Sequence, residues 1–453
     1  MKTSFSSRSR LAVSIIALAS LAACGGGGGS GASSAPAPTP TPVVTTPAPT
    51  PTPPVSTDPA APPPVIADLP ALPTWSLPSS SGPVPAPTPT PTPGVQFGTV
   101  AMAMAAEPAC GFDAVNVTVT KMRFHTSATA AASDAGWTEI TLQPARRINL
   151  AHMNNGALQA LAAVALLPGH YAQTRLVLDA NSNGDTTNSV VLAGASAELP
   201  LLTQTLATDG IPVGSAFDLV NGESMNLIVD FDACRSVVPN NGNQYLLRPV
   251  IQAVPTVRNG ISGFVATSLL GSHVRVTAQQ NGVVVRATDP DPVSGEFLLP
   301  RLDAGSYDVV VTADGRAASV VAAVPVASSV STTALNTAAT PVTLQAAPMG
   351  FIMATLKLNP VSAVEPAYGA AGQKFAAGPT VVIGYRVADL KTGVINFRKL
   401  PMAAPQLAVY SASRALVFTA APDVAPGVTS YAVVGSAPGY SVGETAILQA
   451  QPE

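Results

Sequence analysis

The side chains best equipped for chemistry in this sequence are three cysteines, four histidines and a few clustered carboxylates. Cys110 and Cys234 can pair as a disulfide, hold a metal or supply a thiol nucleophile. No histidine lies near either in sequence, which disfavours the last two roles. His125, His152, His170 and His273 are scattered, without the i, i+4 spacing of a helical zinc site, and there is no Cys-x-x-Cys pair. The run Asp179-Ala180-Asn181-Ser182-Asn183-Gly184-Asp185 begins like a calcium loop. Asp179, Asn181, Asn183 and Asp185 place oxygens at alternate positions with glycine sixth, which suits an ion that takes roughly 6 to 8 oxygen ligands. The twelfth position is Val190, so the bidentate carboxylate is missing and a solvated Asn/Gly turn is the preferred reading. Calcium is the one cofactor the sequence suggests. Asp230 and Asp232 share one strand face and are read as solvated residues at a strand end, with cation binding as the alternative. Neither a phosphate-cradling loop ending in Gly-Lys-Ser/Thr nor a Gly-x-Ser-x-Gly nucleophile elbow occurs.

The compartment decides the state of Cys110 and Cys234, and the N-terminus sets the compartment. Lys2, Arg8 and Arg10 precede an apolar run from Leu11 to Ala23. Roughly a dozen apolar residues are too few to span a bilayer core, which takes about 20, so the run reads as a signal h-region. It ends at Leu21-Ala22-Ala23-Cys24, which resembles the bacterial lipobox. The resemblance implies that residues 1–23 are a lipoprotein signal peptide, cleaved before a lipidated Cys24. Several acyl chains, each buried methylene contributing about 0.8 kcal/mol, would anchor the chain without a transmembrane helix. Gly25 rather than Asp follows the cysteine, which by the same resemblance points to the outer membrane over the inner. Export places Cys110 and Cys234 in an oxidising space, where a disulfide is the simplest outcome. Closing so long a loop stabilises by about 5 kcal/mol as an upper value.

Residues 24–94 follow as a tether: Gly25 to Gly29 in succession, then Pro, Thr, Ala and Ser, with repeats such as Thr88-Pro89-Thr90-Pro91-Thr92-Pro93. This composition buries too little apolar surface to offset its ordering entropy and is expected to be disordered. Roughly 65 such residues reach on the order of 200 Å extended, or nearer 50 Å if flexible.

The elements that must position any site lie in residues 95–453, enough for two or three domains. Period-two stretches bounded by Gly, Asn, Asp and Pro predict a mainly β chain of two or three sandwich-like modules. In residues 95–255, Val115, Val117 and Val119 alternate with polar residues, and the apolar phase then switches to Met122 and Phe124, which predicts a bulge. Ala157 to Val164 is the one helix expected. Phe112-Asp113-Ala114-Val115, Trp137, Asn155-Gly156, Leu167-Pro168-Gly169-His170-Tyr171, Leu227 to Ala233 and Arg248-Pro249-Val250-Ile251 together resemble the domain-of-unknown-function family 4382. Glu107-Pro108 departs from that family's usual Asp-Ala-Pro turn. The resemblance implies a β-sandwich-like domain in an exported setting and brings no activity with it.

Residues 256–340 carry Asn281-Gly282, a hairpin turn, then Ser294-Gly295-Glu296-Phe297 and Ala304-Gly305-Ser306-Tyr307. These resemble the carboxypeptidase regulatory-like family, a small prealbumin-like sandwich grouped with carbohydrate-binding-like folds, whose modules are usually non-catalytic. Residues 341–453 resemble no family, but Ser430-Tyr431-Ala432-Val433-Val434 echoes Ser306-Tyr307-Asp308-Val309-Val310. A second related sandwich is therefore expected there.

The formal net charge is −3 and only 10% of residues are charged, which gives no basic footprint for nucleic acid. The expectation is a non-enzymatic lipoprotein, attached to the membrane through Cys24, whose modules serve adhesion, envelope architecture or ligand binding. Its partner would be a glycan or another envelope protein. The alternative is a carbohydrate-binding protein. Sugar platforms need exposed aromatic faces, and aromatics are 5% of this chain.

Overall fold

A computed structural model describes Gly94 and Gln96–Glu453, apart from Ala109, Asn154, residues 182–184, Ser215, Asn243 and residues 255–258. The stretch read as a signal peptide, Cys24 and the expected tether up to Pro93 lie outside the described residues. Within them the chain is mainly β, and no helix is long and apolar enough to cross a membrane.

The first module packs two sheets around one core. A four-stranded sheet runs in the order Ile251–Val254, Ser224–Asp232, Gly98–Glu107, Gln159–Leu166. It shares its core with a larger sheet built on the long strand Phe112–His125. That strand carries the expected bulge: its register shifts between Val119 and Lys121 against both neighbours. The extra residue lets Val115, Val117 and Val119 and then Met122 and Phe124 all face inward.

The helix expected at Ala157 to Val164 is instead the strand Gln159–Leu166, antiparallel to Gly98–Glu107. An alanine-rich segment this short is marginal as an isolated helix, whereas as a strand it satisfies an otherwise unpaired sheet edge. The three-residue spacing of buried Leu161 and Val164 imitates a helical period. It arises from the register shift between Met102 and Ala103 on the partner strand.

The second and third modules are versions of one design. In the second, the sheet order is Val283–Thr288, Arg275–Gln280, Gly305–Thr312, Ser319–Val326; in the third it is Thr380–Val387, Tyr368–Lys374, Ser430–Ser436, Ala446–Gln449. Opposite these sheets, Gly260–Phe264 pairs with Glu296–Pro300, and Met349–Thr355 pairs with Val394–Pro401. The turns repeat too. Asp291 Oδ1 accepts from the N–H groups of Val293 and Ser294, and Asp389 Oδ1 from those of Lys391 and Thr392. Gly295 (φ 73°) and Gly393 (φ 70°) close the two turns; a Cβ at either would lie 2.3 and 2.4 Å from a backbone oxygen, of Val265 and Leu356 respectively. Tyr307 and Tyr431, the tyrosines of the sequence echo, are both buried in their cores.

One difference joins the copies. Between Val394–Pro401 of one sheet and Ser430–Ser436 of the other, the third module inserts a segment whose strands Gln406–Val409 and Thr419–Ala420 leave it. Gln406–Val409 pairs in parallel with Ser319–Val326 of the second module and extends that module's sheet to six strands. Val310 and Val320 of the second module pack with Phe375 and Val381 of the third. Val238 and Leu246 of the first pack with Tyr368 and Val387 of the third.

Candidate functional site

Parallel pairing sets Ala105 opposite Asp230 and Glu107 opposite Asp232, so three carboxylates collect at one end of the first module's smaller sheet. Phe231 between the aspartates is buried in the core, which turns Asp230 and Asp232 to the other face. That face is not in water, as the sequence suggests it should be. Asp230 is 4% exposed, because the second module's strand Val283–Thr288 docks on it through Arg286. Arg286 Nη1 lies 2.9 Å from Glu107 Oε1 and also donates to Asp230 Oδ2. Asp232 does act as a strand-end aspartate: its Oδ1 accepts from the Arg235 N–H at 2.8 Å and caps the short helix Ala233–Ser236.

One guanidinium facing two carboxylates leaves an excess negative charge in a desolvated place. Burial therefore raises the Glu107 pKa to about 8; Arg286 opposes the rise, and Asp232 and Asp230 add to it. Burial raises Asp232 as well. A proton on Glu107 at neutral pH balances the cluster.

Cys110 and Cys234 are disulfide-bonded, with Cα atoms 4.7 Å apart across 124 residues of sequence. The bond lies at the same end of the sheet and borders a cleft of about 1650 Å³ lined by all three modules. Six Asp or Glu and six Lys or Arg side chains line it, about a quarter of the charged groups in the whole sequence. Most are matched. Asp314 contacts Lys399 and sits 2.8 Å from His273 Nδ1, and Arg275 Nε is 3.4 Å from Asp289. Burial raises the Asp289 pKa against the pull of Arg275.

Arg386, on the strand Thr380–Val387, differs. Its Nη1 donates to the Tyr385 carbonyl at 2.8 Å, and no carboxylate among the described residues forms an ion pair with it. Burial, with Arg275 adding to it and Asp314 alone opposing, lowers its pKa to about 10. The side chain nonetheless keeps partial solvent access and lines the cleft. It is a cation set deep in a depression, short of compensating charge.

Residues 97–249 match the family described as domain of unknown function DUF4382. The match falls within the first module, as its motifs imply. No curated protein matches the chain. Among solved structures, the chain is similar to the Bacillus anthracis TIE protein at 13% identity, over 79% of this chain and 49% of that one, with a TM-score of 0.14. This chain thus spans about half of that protein's length. A streptococcal ancillary pilin aligns at 9% identity over 78% of this chain and 96% of the pilin, TM-score 0.14. The FN1-FN3 domains of chicken CNTN1 align at 11% identity over 79% and 99%, TM-score 0.12. Scores this low carry no argument about fold or function.

The calcium-like run lies in the first module, and none of its described residues lines the cleft. Asn183 falls outside the described residues. Asn181 uses its side chain on the backbone: Oδ1 accepts from the Asn188 N–H at 2.7 Å, and Nδ2 donates to the carbonyls of Asn188 and Leu201. Asp179 and Asp185 each accept from the next residue's N–H. Among the described residues no three His, Cys, Asp or Glu side chains converge as a metal site requires. His170 pairs with Asp218 at 2.8 Å, and His125 packs against Trp137.

Trp137 of the DUF4382 domain is half-buried under the guanidinium groups of Arg123 and Arg175, at 4.6 and 5.2 Å from its ring centre. Every aromatic side chain among the described residues is at least partly buried, so none forms an open stacking platform. Sequence reasoning missed Arg286 and Arg386. The available signal was the charge itself: each interrupts a β-branched strand, Val283-Val284-Val285-Arg286 and Val381-Val382-Ile383-Gly384-Tyr385-Arg386, in a chain with few charges.

Proposed function

We propose that this chain is a non-enzymatic, lipid-anchored envelope protein that holds three β-modules as one body and offers the cleft between them as its binding face, in adhesion or envelope architecture. The observation that carries the reading is the joining of the modules. Arg286 docks the second module on the DUF4382 domain, and Gln406–Val409 of the third completes the sheet of the second. Modules that served separately on flexible links would have no use for shared sheets and buried inter-module ion pairs. The carboxylates that would serve as general acids or bases at this junction are engaged by Arg286, Lys399 and the helix cap, which supports a binding role over catalysis.

The anchor rests on Leu21-Ala22-Ala23-Cys24 and the outer-membrane placement on Gly25. The Cys110–Cys234 bond fits an oxidising compartment. The reading of the second module as carboxypeptidase regulatory-like rests on its motifs, and its repetition in the third module supports a scaffold of reiterated sandwiches. Among the described residues the carbohydrate-binding alternative lacks the open aromatic faces it needs.

The test is fractionation of cells expressing the full chain. Wild type should partition with membranes and incorporate labelled fatty acid, and Cys24→Ala should move to the soluble exported fraction without label. Retention of Cys24→Ala in the membrane fraction would overturn the anchor.

A further inference from the structure

We propose that the three-module cleft is an oxyanion site, centred on Arg386, for an amphipathic ligand with a carboxylate or phosphate head. The inference rests on the cleft being the binding face and extends that reading to a ligand class; its test leaves the anchor untouched.

Four observations converge. Arg386 lines the cleft, and its recorded hydrogen bond is to the neutral Tyr385 carbonyl. A planar guanidinium with donors to spare is the group best shaped for bidentate contact with a carboxylate or phosphate. The neighbouring charges are matched: Arg275 and Lys399 line the same cleft beside Asp289 and Asp314, and Asp314 also meets His273, so none of these acids neutralises Arg386 through an ion pair. Burial disfavours charge in the cleft, holding the Asp289 pKa up and the Arg386 pKa down, so an anion seated against Arg386 would offset the desolvation of its guanidinium. The site is also roomy, at about 1650 Å³, above the volume of most small-molecule pockets.

The ligand's second part follows from the cleft's other lining. Val283, Val285, Val442 and Ile447 all line it and are 62%, 38%, 69% and 69% exposed. They stand among the large apolar side chains that the described residues leave exposed, Val283 and Val285 on an edge strand of the second module, Ile447 on an edge strand of the third and Val442 in the segment before it. Apolar groups from two modules lining the same cleft as a cation without an ion pair suit a ligand with an anionic head and an apolar body. A soluble fatty carboxylate and a lipid phosphate share that chemistry.

The experiment is thermal melting of the full chain with inorganic phosphate, octanoate or a short-chain phosphatidate, each against chloride at matched ionic strength. At about tenfold saturation the bound anion should raise Tm by about 1–3 °C. The amphipathic anions should half-saturate at concentrations at least about tenfold below phosphate, because their tails bury apolar area. Tighter binding of phosphatidate than octanoate identifies the lipid as source, and the reverse order the free carboxylate. Arg386→Gln should abolish the shift while leaving the ligand-free Tm within about 2 °C, since it removes an uncompensated buried charge. Arg414→Gln, outside the cleft lining, should keep the shift. If Arg386→Gln fails to fold, a wild-type crystal soaked in selenate supplies the readout: anomalous density within hydrogen-bond reach of Arg386 is expected. Absence of any oxyanion-specific shift in wild type, a shift retained in Arg386→Gln, or selenate density confined to other sites would each overturn the proposal.

Discussion

A single proton governs the contact between the first two modules. Glu107 and Asp230 both face the Arg286 guanidinium, and burial holds Glu107 protonated up to a pKa of about 8, against an ordinary value of 4.5. A folded-state pKa raised above the unfolded one means that the folded state binds the extra proton. Its contribution is complete below about pH 4.5 and is lost as the pH rises through about 8. Wild type should therefore lose stability, and with it Tm, between about pH 4.5 and pH 8, by up to a few kcal/mol. Glu107→Gln, which mimics the protonated form, should flatten that slope, matching wild type near pH 4.5 and exceeding its Tm by pH 8. A pH profile identical in the two proteins would show that Glu107 is not the titrating group. Removing Arg286 instead leaves buried carboxylates without a partner, the costlier direction.

Among the elements, the strand Thr380–Val387 lies at the edge of its sheet and is closed by a side chain of the second module. Gln279, fully buried on Arg275–Gln280, does so with its side chain: Nε2 donates to the Val382 carbonyl and Oε1 accepts from the Val382 N–H, both at 2.8 Å. The amide takes the place of a peptide group from a neighbouring strand and fastens the third module to the second. Gln279→Leu keeps the volume but strands a buried N–H and C=O, and should cost about 2–4 kcal/mol. Urea denaturation checks it; a midpoint unchanged from wild type would mean that water restores both bonds. The strand Gln159–Leu166 makes the complementary point. Its alanines favour a helix, and the open edge of Gly98–Glu107 overrides them.

For the whole molecule, the inserted strand Gln406–Val409 couples the second and third modules through a shared sheet, and the Tyr368 and Phe375 clusters couple the third to both of the others. Buried apolar contacts with the third module, its shared sheet with the second, and the Arg286 ion pairs between the first and second should make the three modules unfold together. Native-state hydrogen exchange at rising urea concentration tests this: the slowest amides of Phe112–His125, Gly305–Thr312 and Ser430–Ser436 should lose protection at one urea concentration. Release of the third module well before the others would show that the joined sheet is only an ornament of the fold.

The sequence by itself determined the local chemistry. Alternation along Val115 to Val119 and its phase switch at Met122 specify a bulged strand, Asn281-Gly282 a hairpin, and Cys110 with Cys234 a disulfide, because each depends on near neighbours or on a small count of residues. The echo of Tyr307 in Tyr431 carried the repeat, since both tyrosines fill equivalent core positions. Tertiary structure alone decided what the charged residues do. Asp230 reads as solvated until Arg286, 56 residues away in sequence, covers it. Arg386 reads as one more charge on a strand until three modules enclose it. Burial is a property of the assembled chain, and electrostatics follow burial, so the cleft and its unmatched cation could emerge only once the modules were packed together.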